Sequence, residues 1–128
     1  MNAAMTVPDG ELANRILGEV PFDRRMPAGR FRPPVGILQG HVRSLSALFL
    51  HLAPDPSSLP GVNLKRLPDW IEGVVGDAEL AARVREEVAA SSCHVDGCLR
   101  VYELVAQRLA QAQGVVGSRA GSAEERTS

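Results

Sequence analysis

"PFDRRMPAGRFRPPVGILQG", residues 21–40, is the stretch whose reading decides the fold class. Pro27, Pro33 and Pro34 each hold φ near about −65° and lack an N–H, so no helix runs through them. The residue before each proline is pushed toward extended backbone. "VGIL" (35–38) reads as a brief strand or as a strap across the core, and the remainder reads as irregular. With this proline- and arginine-rich arm set aside, the rest of the chain reads as helix. The expected class is therefore all-α: about five short helices around an aliphatic core, with an irregular arm and a disordered C-terminal tail.

The helices follow from apolar spacing and caps. Asp9 opens a segment with Leu12, Ile16, Leu17 and Val20 at helical intervals, closed by Pro21. Ser44 is a good N-cap for "LSALFLHLA", where Leu45, Leu48, Phe49 and Leu52 share a face. "PDPSSLPG" (54–61) ends that helix. "LPDWIEGVVG" (67–76) starts on a first-turn proline and stops at Gly76, after which Asp77 caps a helix striped by Leu80, Ala81, Val84 and Val88. The last helix spans about 94–113, with Cys98, Tyr102, Val105, Leu109 and Ala112 in line. Residues 1–8 read as a flexible N-terminus, 9–113 as one helical domain and 114–128 as a disordered tail.

Composition agrees with that class and removes several functions. At 128 residues the chain is one domain, large enough for a core without disulfide or metal. Aromatics are only 4% of it, which favours aliphatic helix packing over a sandwich or barrel. A net charge of −1 leaves no global field to steer the chain to nucleic acid or anionic lipid. The N-terminus shows no basic segment followed by an apolar one, as a secretory signal would, and "LSALFLHLA" is too short to span a bilayer. Two cysteines form no disulfide framework, so the expected setting is a reducing cytoplasm.

Two places carry chemistry-bearing residues. In "SSCHVDGC" (91–98), Cys93, His94 and Cys98 are candidate metal ligands. A structural zinc site needs four ligands, commonly two close pairs, and His41 or His51 would have to complete this one. If the stretch is helical, Cys93 and Cys98 lie about 140° apart around the axis with about 7.5 Å of rise, too far to share an ion. His94 and Cys98, four apart, do share a face. The competing reading takes Cys98 as a small core residue, His94 as a helix-start residue, and Cys93 as a part-exposed thiol near a positive helix end. The second place is the arm, where Arg24, Arg25, Arg30, Arg32 and Arg43 occur without an acid and beside Phe22 and Phe31. Arg24, Arg25, Arg30, Phe31 and Arg32 are candidate partner-binding residues. Phosphate contact and base stacking are the nucleic-acid version of that reading, and the overall charge balance argues against it.

Catalytic signatures are absent: no G-x-S-x-G, P-loop, dinucleotide fingerprint or H-E-x-x-H. "GDAELAARVREEV" begins like a helix-turn-helix unit but lacks the short turn and polar recognition helix that should follow. Trp70, the one tryptophan, reads as a core anchor.

Arg43, Ser44, Leu45 and Leu48, followed by Trp70, Ile71, Val74, Gly76, Asp77, Leu80 and Ala81, form an R-S-L-x-x-L … W-I-x-x-V-x-G-D-x-x-L-A pattern across about residues 42–81. In this it resembles a family of small, uncharacterised helical domains found in bacteria and archaea. The chain departs from the pattern between the blocks, at "APDPSSLPGVN", and at Arg66 and Leu67 before the tryptophan. The resemblance implies a helical fold and a structural or regulatory module. The expected function is thus a non-enzymatic interaction or accessory module without cofactor, gripping a protein partner through the arm or a helix face. Self-association through Tyr102 and Leu109 is a further candidate, and a metal- or redox-responsive protein is the alternative.

Overall fold

The computed structural model describes residues 5–55 and 58–127, with side chains omitted at Phe22 and beyond residue 117. Of the flexible N-terminus expected at 1–8 and the disordered tail expected at 114–128, residues 1–4 and Ser128 lie outside the described residues. Its elements run α1 (Gly10–Leu17), a 3-10 turn (Phe22–Arg24), β1 (Met26–Pro27), β2 (Gly29–Arg32), β3 (Gly36–Leu38) and β4 (His41–Val42). There follow α2 (Leu45–Leu52), β5 (Leu59–Gly61), α3 (Leu67–Trp70), a π-helical turn (Ile71–Val75), α4 (Ala78–Ala90) and α5 (His94–Thr127).

The all-α expectation, and with it the picture of a helical bundle, is overturned. Among the described residues five helices are joined by two antiparallel sheets, ordered β1–β4 and β3–β2–β5, so the class is mixed α/β. The supposedly irregular arm is a β-hairpin. Met26 pairs with Val42, Pro27 with His41, Arg30 with Leu38 and Phe31 with Ile37, all in one register. Its prolines fit for a geometric reason. Ala28 N–H donates to the Gly40 carbonyl at 2.9 Å, and bonded pairs alternate along an antiparallel ribbon. Pro27 falls on a non-bonded position, where its missing N–H costs nothing. Pro33 and Pro34, linked by a cis bond, lie in the turn, and Gly36 takes φ 104°, a value that an L side chain rarely adopts.

The helices begin where their caps require. Asp9, Ser44 and Asp77 each accept a hydrogen bond from the backbone N–H three residues on. Leu45, Leu48 and Leu52 of α2, Leu80, Ala81 and Val84 of α4, and Val101, Val105 and Ala112 of α5 fill one core with Ile16 and Ile71. Phe49 stacks on Tyr102 with ring centroids 4.7 Å apart. Helix α5 continues past the point near residue 113 where its apolar line was expected to stop, and Val115 and Val116 pack partly buried against the core.

Two ties hold the outer pieces to this body. Trp70, buried as an anchor, donates from Nε1 to the Arg24 carbonyl at 2.7 Å and so fixes the foot of the hairpin. At the other end Met5 is buried, its carbonyl accepting from Gln111 Nε2 at 2.8 Å, while Thr6 N–H is held by the Glu79 carboxylate at 3.0 Å. No helix among the described residues is long and apolar enough to cross a membrane.

Candidate functional site

Each candidate residue can now be placed. "SSCHVDGC" is the start of α5. Cys93 stands at the N-cap position: its Sγ accepts from Asp96 N–H at 3.5 Å, and its carbonyl takes the first helical bond from Gly97 N–H at 2.9 Å. Asp96 reaches back to Ser92 N–H at 3.0 Å, and that bond, with Arg100 beside it, holds its carboxyl below the usual range.

His94 and Cys98 do meet across one turn, Nε2 to Sγ at 3.5 Å. The same Nε2 lies 2.7 Å from the Pro60 carbonyl, which can only accept, so Nε2 carries the proton and is closed to a metal. Burial, with Cys93 nearby, pushes the Cys98 thiol up to about 11, far from the thiolate that coordination or nucleophilic attack requires. Neither His41, on β4, nor His51, on α2, joins Cys93, His94 and Cys98. Among the described residues no group of three or more His, Cys, Asp or Glu side chains is arranged to hold a metal ion.

The arm residues separate by strand alternation. Arg30 faces the body, donating from Nη1 to Ser58 Oγ at 2.8 Å and from Nη2 to the His51 carbonyl. Asp55 lies 3.9 Å from Arg30 and 3.7 Å from Arg32, while Glu19 lies 3.4 Å from Arg43. An arm without acids in sequence is therefore supplied with them in space, and its positive charge is largely spent at home. Arg24 and Arg32 are exposed and Arg25 is half-buried.

What the arm presents is apolar. Phe31 pairs with Ile37 on one side and Leu59 on the other, and residues paired directly opposite share a face. That face looks to solvent: Phe31 is 41% exposed, Ile37 73% and Leu59 45%. Exposed Val35 lies on the same side two residues before Ile37, while Leu38, 44% exposed, pairs opposite Arg30 on the other face. Beyond Leu59 the surface dips into a groove of about 320 Å³ whose walls include Leu52, Pro54, Val95, Cys98 and Leu99. Of the expected partner-binding residues, the structure thus leaves Arg24, Phe31 and Arg32 at the surface, half-buries Arg25 and turns Arg30 inward. Ile37, Leu59, Val95 and Leu99 were missed, since each reads as an ordinary core aliphatic until the strand register, for the first two, and the packing of α5, for the last two, shows which side it takes.

The pattern at 42–81 has equally structural roles, as the Ser44 cap and core of α2, the Trp70 anchor, the Gly76 stop at φ 88°, and the Asp77 cap of α4. No protein-family model, curated protein or solved structure matches the chain.

Proposed function

We propose that the chain is a non-enzymatic protein-interaction module that docks a partner on the outer face of the β2–β3–β5 sheet. The observation that carries this reading is the solvent-facing row Leu59–Phe31–Ile37, three large apolar side chains abreast on paired strands. Scattered surface apolar residues are ordinary, but contiguous ones beside an apolar groove mark interaction sites. The platform is stiff, because Trp70 holds one end of the hairpin and Arg30 rivets its middle to Ser58 and His51. A preorganised face loses little entropy on binding. Exposed Arg32 suits the polar rim of such an interface. The two unpaired cysteines suit a reducing cytoplasm, where the module is proposed to work.

The test is site-specific photo-crosslinking in living cells, with the photoreactive residue at position 31 or, as control, at Glu86 on the exposed side of α4. An adduct with one protein from position 31 and none from 86 is expected. The same complex should then re-form from purified components and weaken at least about tenfold, 1.4 kcal/mol, with Phe31→Asp. Equal labelling from both positions, or affinity unmoved by Phe31→Asp, sinks the reading.

A further inference from the structure

The sheet that carries the docking face is open on one side. β3 is the outermost strand of the order β3–β2–β5, and no described strand pairs with its far edge. Bonded pairs alternate along the hairpin, and Ala28–Gly40 is one of them, so Arg30–Leu38 and Arg32–Gly36 are bonded too. Ile37 lies between those pairs, and its N–H and C=O therefore point to the open edge. The opposite edge is closed: Pro60 of β5 has no N–H, and its carbonyl accepts from His94. Sheets normally blunt an exposed edge with a charge, a proline or a bulge. Residues 35–40, "VGILQG", contain no charge and no proline, and the constant register leaves no bulge.

We infer that β3 pairs antiparallel with β3 of a second copy of this chain, about a two-fold axis at Ile37. The inference rests on the reading of the outer sheet face as a docking surface and names one occupant of its edge. In this register Ile37 is its own partner, each copy donating its Ile37 N–H to the other's Ile37 carbonyl. Val35 falls opposite Gln39, and Gly36 opposite Leu38. Two three-stranded sheets become one of six strands, and the row Leu59–Phe31–Ile37 is continued in reverse by the same three residues. Such an isologous contact closes on itself.

A strand that pairs with its own copy must tolerate its own charges. Residues 35–40 carry no acid or base, so two copies of this edge lie side by side without like-charge repulsion. The arginines nearest the axis, Arg30 and Arg32, sit on β2 strands that would stand about 14 Å apart, three strand spacings, so no like charges meet.

The untagged full chain is to be followed by sedimentation velocity and native mass spectrometry across a concentration series. Wild type is expected to run as a dimer. Ile37→Lys is expected to run as a monomer with unchanged far-UV circular dichroism, and Val35→Lys serves as the second disrupting variant should the first misfold. Leu50→Lys, on the exposed side of α2, should leave the dimer intact. In a Cys93→Ser background, Ile37→Cys should give an interchain disulfide on mild oxidation, since directly bonded positions lie about 5.5 Å apart, within disulfide reach. A wild type that stays monomeric, or a dimer that survives both lysine variants, overturns the pairing. The two readings fail separately. A monomer that still crosslinks to another protein from position 31 removes the pairing alone. A dimer that crosslinks only to itself keeps the pairing and removes the foreign partner.

Discussion

Arg108 and Asp77 are joined by two parallel hydrogen bonds, Nε to Oδ2 at 2.7 Å and Nη2 to Oδ1 at 3.0 Å, with side chains only 1% and 0% exposed. The same Oδ1 accepts Leu80 N–H at 3.1 Å, so the carboxylate caps α4 while it neutralises α5. Arg108 Nη1 goes on to the Thr6 carbonyl at 2.6 Å and Gln111 Oε1 at 2.9 Å. Removing one partner strands a buried charge. Arg108→Met should cost about 3–5 kcal/mol in urea unfolding. Asp77→Ser with Arg108→Met should recover most of that loss, because serine keeps the cap and no charge is left unpaired. A double variant as unstable as the single one would show that the pair itself is the source of stability.

His51 makes the fold pH-dependent. Burial, and then the Arg30 guanidinium, lower its pKa below the ordinary 6.5, against a weaker raising effect from a hydrogen bond to the Gly29 backbone. The imidazole is thus harder to protonate when folded, and the unfolded chain binds the proton more readily. Its contribution to stability is whole above about pH 6.5 and declines as pH falls below that value toward the folded pKa. Tm should drop between pH 7 and pH 5, and the slope should be smaller in His51→Gln. Identical slopes for the two proteins would remove His51 as the cause.

The two thiols should react on different clocks. Cys93 is exposed, while Cys98 is buried with its thiol raised to about 11. A disulfide reagent at neutral pH should modify one thiol per chain quickly and the second only on unfolding. Loss of the fast phase in Cys93→Ser would assign it. A fast phase that persists there would mean that the start of α5 opens readily.

Trp70→Phe keeps the apolar ring but loses the donor to the Arg24 carbonyl. A loss of about 1 kcal/mol is expected. Hydrogen exchange should quicken in residues 26–42 and stay unchanged in α4. Uniform acceleration across both would show that Trp70 serves the core as a whole rather than the hairpin.

The helices were legible because caps and stripes are local signals. Asp9, Ser44 and Asp77 mark helix starts within three residues of sequence, and Leu45, Leu48 and Leu52 recur at the helical period. The hairpin was not, because its evidence is non-local. Pro27 looks prohibitive until its partner His41 shows that the position bonds to nothing across the ribbon. A strand with Phe31 facing water and Arg30 facing the body also inverts the usual alternation. The site suffered in the same way. Arginine invited attention by its charge, yet the charge is met by Asp55 from a distant loop, and the surface left to a partner is the aliphatic one. Arg108 and Asp77, 31 positions apart, gave no sign in sequence that they would share the interior.

The strap at Met5 and Thr6 also sets an order of events in synthesis. Glu79 on α4 holds Thr6 N–H, but the strap's other partners, Gln111 and Arg108, come 106 and 102 positions after Met5 and Thr6, so the strap cannot close fully until α5 has emerged from the ribosome. Closing so long a loop is entropically slow, and contacts of this span lengthen folding. Until then α1, whose seat is against α5, stands with its apolar side uncovered. The growing chain keeps that side open to chaperones and proteases while α2, α3 and α4 are made, and the tie that seals the fold waits for α5.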